Sequence, residues 1–231
     1  MIRATSSETA AIWAKAVQAL PPNTMKFALN AAHDSLPHNV NLHMWKKRDS
    51  PNCPLCGERQ SLLHVLNNCS VARDLRRYNH RHDAVLQEIV NFVKLKLPPA
   101  TNLTADINEY AFPTHIVSTD LRPDIVWWDD QQKSLMLIEL TISYETNFDD
   151  AAERKEVKYE ELITGVRTSG YDAELITLEV GSRGVINAAG FKHLRQTLNI
   201  CSTKMSELLL CTCKRAIEGS YSIWCSRNRI T

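Results

Sequence analysis

The chain has 231 residues and a formal net charge of +1, so its length suits one or two domains with a real core and its overall charge names no partner. No run of eighteen apolar residues is present, which excludes a membrane-spanning helix on sequence grounds, and the N-terminus lacks the apolar core of a signal peptide. The seven cysteines form an odd set without the spacing of a secreted disulfide framework, and they point to a reducing compartment and a metal role.

Taken in chain order, Glu8 to Leu20 carries Trp13, Val17 and Leu20 at helical spacing, and Pro21-Pro22 closes that helix. Thr24 to Ser35 predicts a second helix that stops before Pro37. Asn39 to Trp45 leads into the triplet Lys46-Lys47-Arg48, read as solvated surface. A compact cysteine and histidine segment follows, and then Leu75 to Leu97 predicts one helix with an apolar stripe of Leu86, Ile89, Val90 and Val93. Pro98 to Asn102 reads as a linker, with Ala111 to Ser118 as an additional strand or extended segment. Ile125 to Trp128 and Ser134 to Ser143 predict two strands joined by the polar turn Asp129 to Gln132. Asp149 to Thr164 predicts a helix, Ala173 to Val180 a strand and Gly181 to Gly184 a turn. Asn187 to Ile200 and Thr203 to Glu218 complete the series as helices, with Gly219 as the final stop. The expected fold class is α/β: a helical linker region at 1–50, a zinc knuckle and basic helix at 51–97, and a domain at 103–231 with a small mixed sheet flanked by helices.

Cys53, Cys56, His64 and Cys69 have the spacing C-x2-C-x7-H-x4-C. Three thiolates and one imidazole complete a tetrahedral Zn2+ shell with no position open to substrate, so the expected zinc is structural. Pro54 and Gly57 supply the turn that lets two nearby sulfurs face one ion. Cys201, Cys211, Cys213 and Cys225 have no histidine at ligand spacing and read as buried core on apolar helix faces.

The most telling pattern is Arg122-Pro123-Asp124 followed by Glu139-Leu140-Thr141, fifteen positions on from Asp124 to Glu139. Strand side chains alternate faces, so Asp124, Val126 and Trp128 share one face, as do Leu135, Leu137, Glu139 and Thr141. A hairpin in suitable register brings Asp124 and Glu139 together at one sheet end, where two carboxylates can hold Mg2+ for phosphodiester hydrolysis. Nucleases of the PD…(D/E)-x-K class carry a lysine two residues past the second acid; here that place is Thr141. Lys155 or Lys158 on the following helix offers a substitute, since Ala151, Lys155, Lys158 and Leu162 fall on one helical face. Glu145 could complete the metal shell or cap that helix, and Asp120 could also reach the site.

Charge segregates along the chain. Asp120 to Glu161 holds twelve acids against five bases, whereas Gly181 to Thr231 holds eight bases against two acids and Arg73 to Lys96 six against three. An acidic centre with basic arms suits a metal site serving a polyanion. Arg73, Arg77 and Arg81 are spaced four apart and predict a single phosphate-gripping ridge, with His82 and Tyr78 beside it.

In this order, Cys53-Pro54-Leu55-Cys56, His64 to Cys69, Arg81-His82-Asp83, Arg122-Pro123-Asp124, Glu139-Leu140-Thr141 and Lys155-x-x-Lys158-Tyr159 resemble the C-terminal part of site-specific non-LTR retrotransposon polyproteins. Those proteins carry a reverse transcriptase, a CCHC knuckle and a restriction-like endonuclease. The resemblance covers roughly residues 36–184. It implies a restriction-endonuclease-like domain and a Mg2+-dependent endonuclease that nicks duplex DNA, with element RNA as a further partner and a nuclear location. Asp124 and Glu139 would then bind Mg2+, Lys155 or Lys158 would assist catalysis, and Cys53, Cys56, His64 and Cys69 would bind Zn2+. Arg77, Arg81 and His82 would hold nucleic acid. No reverse transcriptase precedes the knuckle here, and Thr141 motivates a second reading: a catalytically inert zinc-knuckle fragment that binds nucleic acid. The sequence does not fix the oligomeric state.

Overall fold

The structure, a computed structural model, describes residues 6–107 and 109–230. Helices α1 (Ser7–Gln18), α2 (Pro22–Ala32) and α3 (Asn39–Met44) come first. The Ser6 hydroxyl caps α1 by accepting from the Thr9 N–H at 3.1 Å. Pro22 then opens α2 rather than only closing α1, because a first-turn proline has no N–H to leave unpaired.

The expected helix from Leu75 to Leu97 forms over Arg77–Lys94, with a separate short helix just before it. A π-helical turn (His64–Asn68) leads into α4 (Ser70–Asp74), and α5 (Arg77–Lys94) follows. Arg76 lies between them with φ 55° and ψ 23°, a left-handed conformation that no helix can continue through.

The sheet contains β1 (Asn102–Ala105), β2 (Ile125–Asp129), β3 (Ser134–Ser143) and β4 (Asp172–Gly181), in the order β1-β2-β3-β4. β1, β2 and β3 are antiparallel neighbours, and β3 and β4 are parallel. The parallel pair is joined through α6 (Phe148–Thr168), as a parallel crossover requires. The extra strand is Asn102–Ala105, beginning at the last residue of the expected linker, whereas residues 111–118 form turns and irregular chain. The mixed α/β class, the helical N-terminal region and the small mixed sheet flanked by helices are as expected.

Helices α7 (Ala188–Thr197) and α8 (Ser202–Cys225) close the chain. Gly219 does not stop α8 but sits inside it. A Cβ at that position would lie 2.6 Å from the Arg81 Cγ, so this glycine lets α5 and α8 approach closely.

One sheet face, with Ile125, Trp127, Ile138, Leu140, Ile176 and Leu178, belongs to a core shared with α1, α2, α5 and α8. The other face, with Val126, Leu135, Leu137 and Ala173, packs on Tyr159, Leu162, Ile163 and Val166 of α6. Residues on both sides of the expected 98–102 boundary therefore share one apolar cluster. Of the four cysteines expected to be core, Cys213 is buried but Cys201, Cys211 and Cys225 are exposed, because they fall on the solvent side of α8 or at its start. No helix among the described residues is long and apolar enough to cross a membrane.

Candidate functional site

The zinc ligands are assembled by local turns. The Gly57 N–H donates to the Cys53 carbonyl at 2.9 Å and the Cys53 N–H donates to the Glu58 carbonyl at 2.7 Å, closing a knuckle around Pro54-Leu55-Cys56. Gly57 occupies φ +80°, where a side chain would be strained. His64 and Cys69 are five residues apart, and the π-helical turn His64–Asn68 aligns that spacing. The π-turn brings both ligands to one side.

The ligand atoms of Cys53, Cys56, His64 and Cys69 all lie within 4.8 Å of one another. The Cys56 Sγ is 3.3 Å from the His64 Nε2 and 3.8 Å from the Cys69 Sγ. Tetrahedral Zn2+ with ordinary bond lengths would set about 3.5 Å and about 3.8 Å for these edges. Burial holds His64 below its usual range, which favours the neutral imidazole that a metal needs. Burial first, and then the charges of Cys53 and Cys56, push the Cys69 thiol up to about 11. Three thiolates share one point readily only around a cation, so the donor set fits zinc. Tyr78 from α5 braces the knuckle: its hydroxyl accepts from the Cys69 N–H at 2.9 Å and donates to the Val65 carbonyl at 3.1 Å.

The acidic site is assembled across the sheet. Ile125 pairs with Ile138, so Asp124 and Glu139 lie opposite each other at the next position, on the α6 face. The Leu140 N–H donates to the Asp124 Oδ2 at 2.7 Å, and the Asp124 N–H donates to the Glu139 Oε2 at 3.2 Å. Each strand thus fixes the other's carboxylate. Both side chains are buried, at 8 % and 3 % exposure for Asp124 and Glu139. Burial and the neighbouring Asp124 charge push Glu139 above the usual carboxylate range despite Lys155.

Lys155 forms an ion pair with the Glu139 Oε1, and Lys158 lies 4.0 Å from the same oxygen. The Lys158 ammonium also donates to the Tyr159 hydroxyl at 2.8 Å, which in turn donates to the Arg122 carbonyl at 3.2 Å. Tyr159 therefore pins the turn that carries Asp124. The position of Thr141 has no lysine, and α6 supplies two from the opposite direction. Glu145 does not join this site. Its carboxylate binds Arg183, with Nε 2.8 Å from Oε2 and the Arg183 N–H 2.8 Å from Oε1, because the chain turns away into a short 3-10 turn (Glu145–Asn147). Asp120 is exposed.

The expected arginine ridge does not form, since the left-handed Arg76 separates Arg73 on α4 from Arg77 and Arg81 on α5. Arg77 donates to the main-chain carbonyls of Ser226 at 2.8 Å and Arg229 at 2.6 Å. Arg81 is 2 % exposed and donates to the Ser220 hydroxyl at 2.9 Å. Burial pulls its guanidinium down to about 10. Both side chains clamp α5 to α8, while Arg73 is exposed. His82, expected beside the ridge, instead turns to the acid site: its Nε2 is 3.4 Å from the Asp124 Oδ2 and 3.3 Å from the Leu140 carbonyl. Burial opposes its protonation, but hydrogen bonds and charge from Asp124 and Asp83 outweigh this and push it up to about 10. The Arg81-His82-Asp83 run marked this residue in the sequence, but nothing there tied it to an acid on another element.

A helical lead-in, a Cys3His zinc centre and a mixed sheet carrying a buried acid pair define a zinc-binding α/β protein. Residues 2–75 match the family described as zinc-binding in reverse transcriptase, a region that ends just past the last zinc ligand. The chain thus contains a zinc-binding region of the kind associated with reverse transcriptases. No curated protein matches the chain.

Proposed function

We propose that the chain is a divalent-cation-dependent endonuclease that nicks duplex DNA, carried on a retroelement-type zinc-binding region. One observation carries this reading: Asp124 and Glu139 meet on one sheet face, with Lys155 on the Glu139 carboxylate. The strand–strand–strand–helix–strand order around them suits a PD-(D/E)xK nuclease whose lysine has moved from the position of Thr141 to α6. Carboxylate oxygens are the hard donors Mg2+ prefers, and the two acids fit it. A bound Mg2+ would act as a Lewis acid toward a phosphoryl oxygen and lower the pKa of water.

The chain's own residues orient and stabilise. His82 and the Leu140 N–H hold the Asp124 Oδ2 in place, and Asp124 with Glu139 would hold the cation. Lys155 and Lys158 supply positive charge where negative charge develops on the phosphate or leaving oxygen. Tyr159 fixes the Lys158 ammonium and the Arg122 carbonyl together, which sets the distance between α6 and Asp124. The substrate would be duplex DNA, and a nuclear location would follow from the retroelement-type reading.

The test is nicking of supercoiled plasmid with Mg2+ or Mn2+ by the zinc-loaded protein. Nicked product that disappears with Asp124→Asn and on omission of divalent ion supports the reading. Salt-sensitive DNA binding with no cleavage under any divalent ion would instead favour an inert nucleic-acid-binding fragment, the reading that Thr141 motivates.

A further inference from the structure

We infer that the groove on the α5 side of Asp124 seats phosphates of the cleaved DNA strand, with Arg76 and Arg122 as its anion-holding side chains. This rests on the endonuclease reading and adds residues that it does not use. The groove has a volume of about 540 Å³ and is lined by Arg76, Arg81, His82, Arg122 and Asp124, among others. It therefore opens directly onto one of the two acids, and neither lysine of α6 lines it. A strand lying in it would meet arginine charge beside Asp124, in addition to the lysine charge at Glu139.

The charges in the groove are not equally available. Asp106 and Asp83 also line it, but Asp106 is bound to Arg122 at 2.5 Å and Asp83 to His82 at 3.3 Å. Arg76 is exposed, and among the described residues no hydrogen bond or ion pair engages its guanidinium. Arg81 also lines the groove, so its buried guanidinium adds positive charge behind the same wall. Arg122 is 57 % exposed, and its guanidinium lies 5.0 Å over the Tyr110 ring, which fixes its plane beside the groove while leaving N–H groups to solvent.

The backbone of Arg76 is the second observation. Its φ of 55° breaks the helix, and α5 then starts at an angle that lets Tyr78 reach the knuckle and His82 reach Asp124. Asparagine or glycine would meet that backbone requirement at less strain. The backbone therefore accounts for the bend but not for the arginine. A free guanidinium held at the rim of a polar groove, beside a phosphodiester-cleaving site, does account for it: such groups grip phosphate with two N–H donors.

The experiment measures binding of a short labelled DNA duplex over a series of salt concentrations in EDTA, and cleavage of the same duplex in Mg2+. Arg76→Asn keeps the left-handed conformation accessible, and Arg122→Gln keeps a hydrogen-bond donor for Asp106. Each is expected to lower the slope of log affinity against log salt by about 1 and to raise KM while kcat holds. Arg215→Gln, whose side chain binds Glu88 and Glu218 on the outer face, is expected to leave the slope unchanged. Unchanged slopes in both groove variants, with wild-type protein that binds and cleaves, would overturn the inference. Lowered slopes with no cleavage by the wild-type protein would support the groove and overturn the endonuclease reading instead.

Discussion

The zinc knuckle and the acid site are both built from buried polar groups brought to one point, yet they are specified in opposite ways. The knuckle takes all four ligands from residues 53–69 and sets them by local turns, with Tyr78 of α5 bracing the last ligand. The acid site draws Asp124 from the residue just before β2, Glu139 from β3, Lys155 and Lys158 from α6 and His82 from α5. It exists only because the whole sheet and two helices are packed around it. A local site depends on its ion for order; a long-range site depends on the fold, and the fold tolerates changes in its reacting groups. The two should therefore fail differently.

The largest effect should come from zinc. Removing it, or replacing Cys56 with serine, is expected to unfold residues 53–69, since isolated zinc-finger peptides draw about 10–16 kcal/mol from the metal. Loss of bound zinc by elemental analysis together with a lower melting temperature checks this. A knuckle that stays folded without zinc would remove the contrast between the two regions.

A smaller loss of stability is expected at a buried ion pair outside both sites, where the turn after β4 meets α2. Arg183 and Glu145 form an ion pair with both side chains at 6 % and 3 % exposure, and the Arg183 Nη1 donates to the Ala31 carbonyl at 3.4 Å. Arg183→Met strands a buried carboxylate and should cost about 3–5 kcal/mol in denaturant unfolding. A change below about 1 kcal/mol would mean that the pair contributes no more than a surface one.

Changes at the reacting groups should leave the fold intact and act on rate. Lys155→Met is expected to lower single-turnover cleavage by about 10²–10³-fold, with Lys158→Met milder because Lys158 sits 4.0 Å from Glu139 and is also held by Tyr159. Equal loss in the two variants would contradict the assignment of Lys155 as the nearer charge.

The smallest effect concerns Glu179. It is 2 % exposed, its Oε1 has no partner, and burial raises its carboxyl above the ordinary range. A raised folded-state pKa means that stability from this group is full below the unfolded pKa and is lost as pH rises through the folded one. Glu179→Gln keeps an acceptor for the Asn187 amide and should flatten that decline, raising the melting temperature slightly at pH values above the ordinary carboxylate range. An unchanged pH profile would show that Glu179 does not contribute to the slope.

The same contrast explains what the sequence revealed. The knuckle was legible because cysteine and histidine spacing is contiguous, and the two-acid hairpin because period-two alternation fixes which side chains share a face. Lys155 and Lys158 were legible from helical spacing alone. The break at Arg76 was not, because an arginine at positive φ leaves no mark in the sequence; with it went the single ridge of Arg73, Arg77 and Arg81. Gly219 looked like a helix end but answers to Arg81 on another helix, a contact 138 positions away in the chain. The strand Asn102–Ala105 was hidden because four residues after a proline pair carry too little pattern, and it forms only by pairing with β2. The position of His82 against Asp124 was invisible for the same reason: it depends on how α5 leaves that break.

An endonuclease of this kind requires that the opposed carboxylates cut DNA. Single-turnover cleavage of a plasmid in Mg2+ by Glu139→Gln, measured beside the unaltered chain at equal zinc content and equal melting temperature, addresses this directly. Nicking by the unaltered chain and none by the variant is the predicted result. Equal nicking by both would show that the paired acids are not the cutting site.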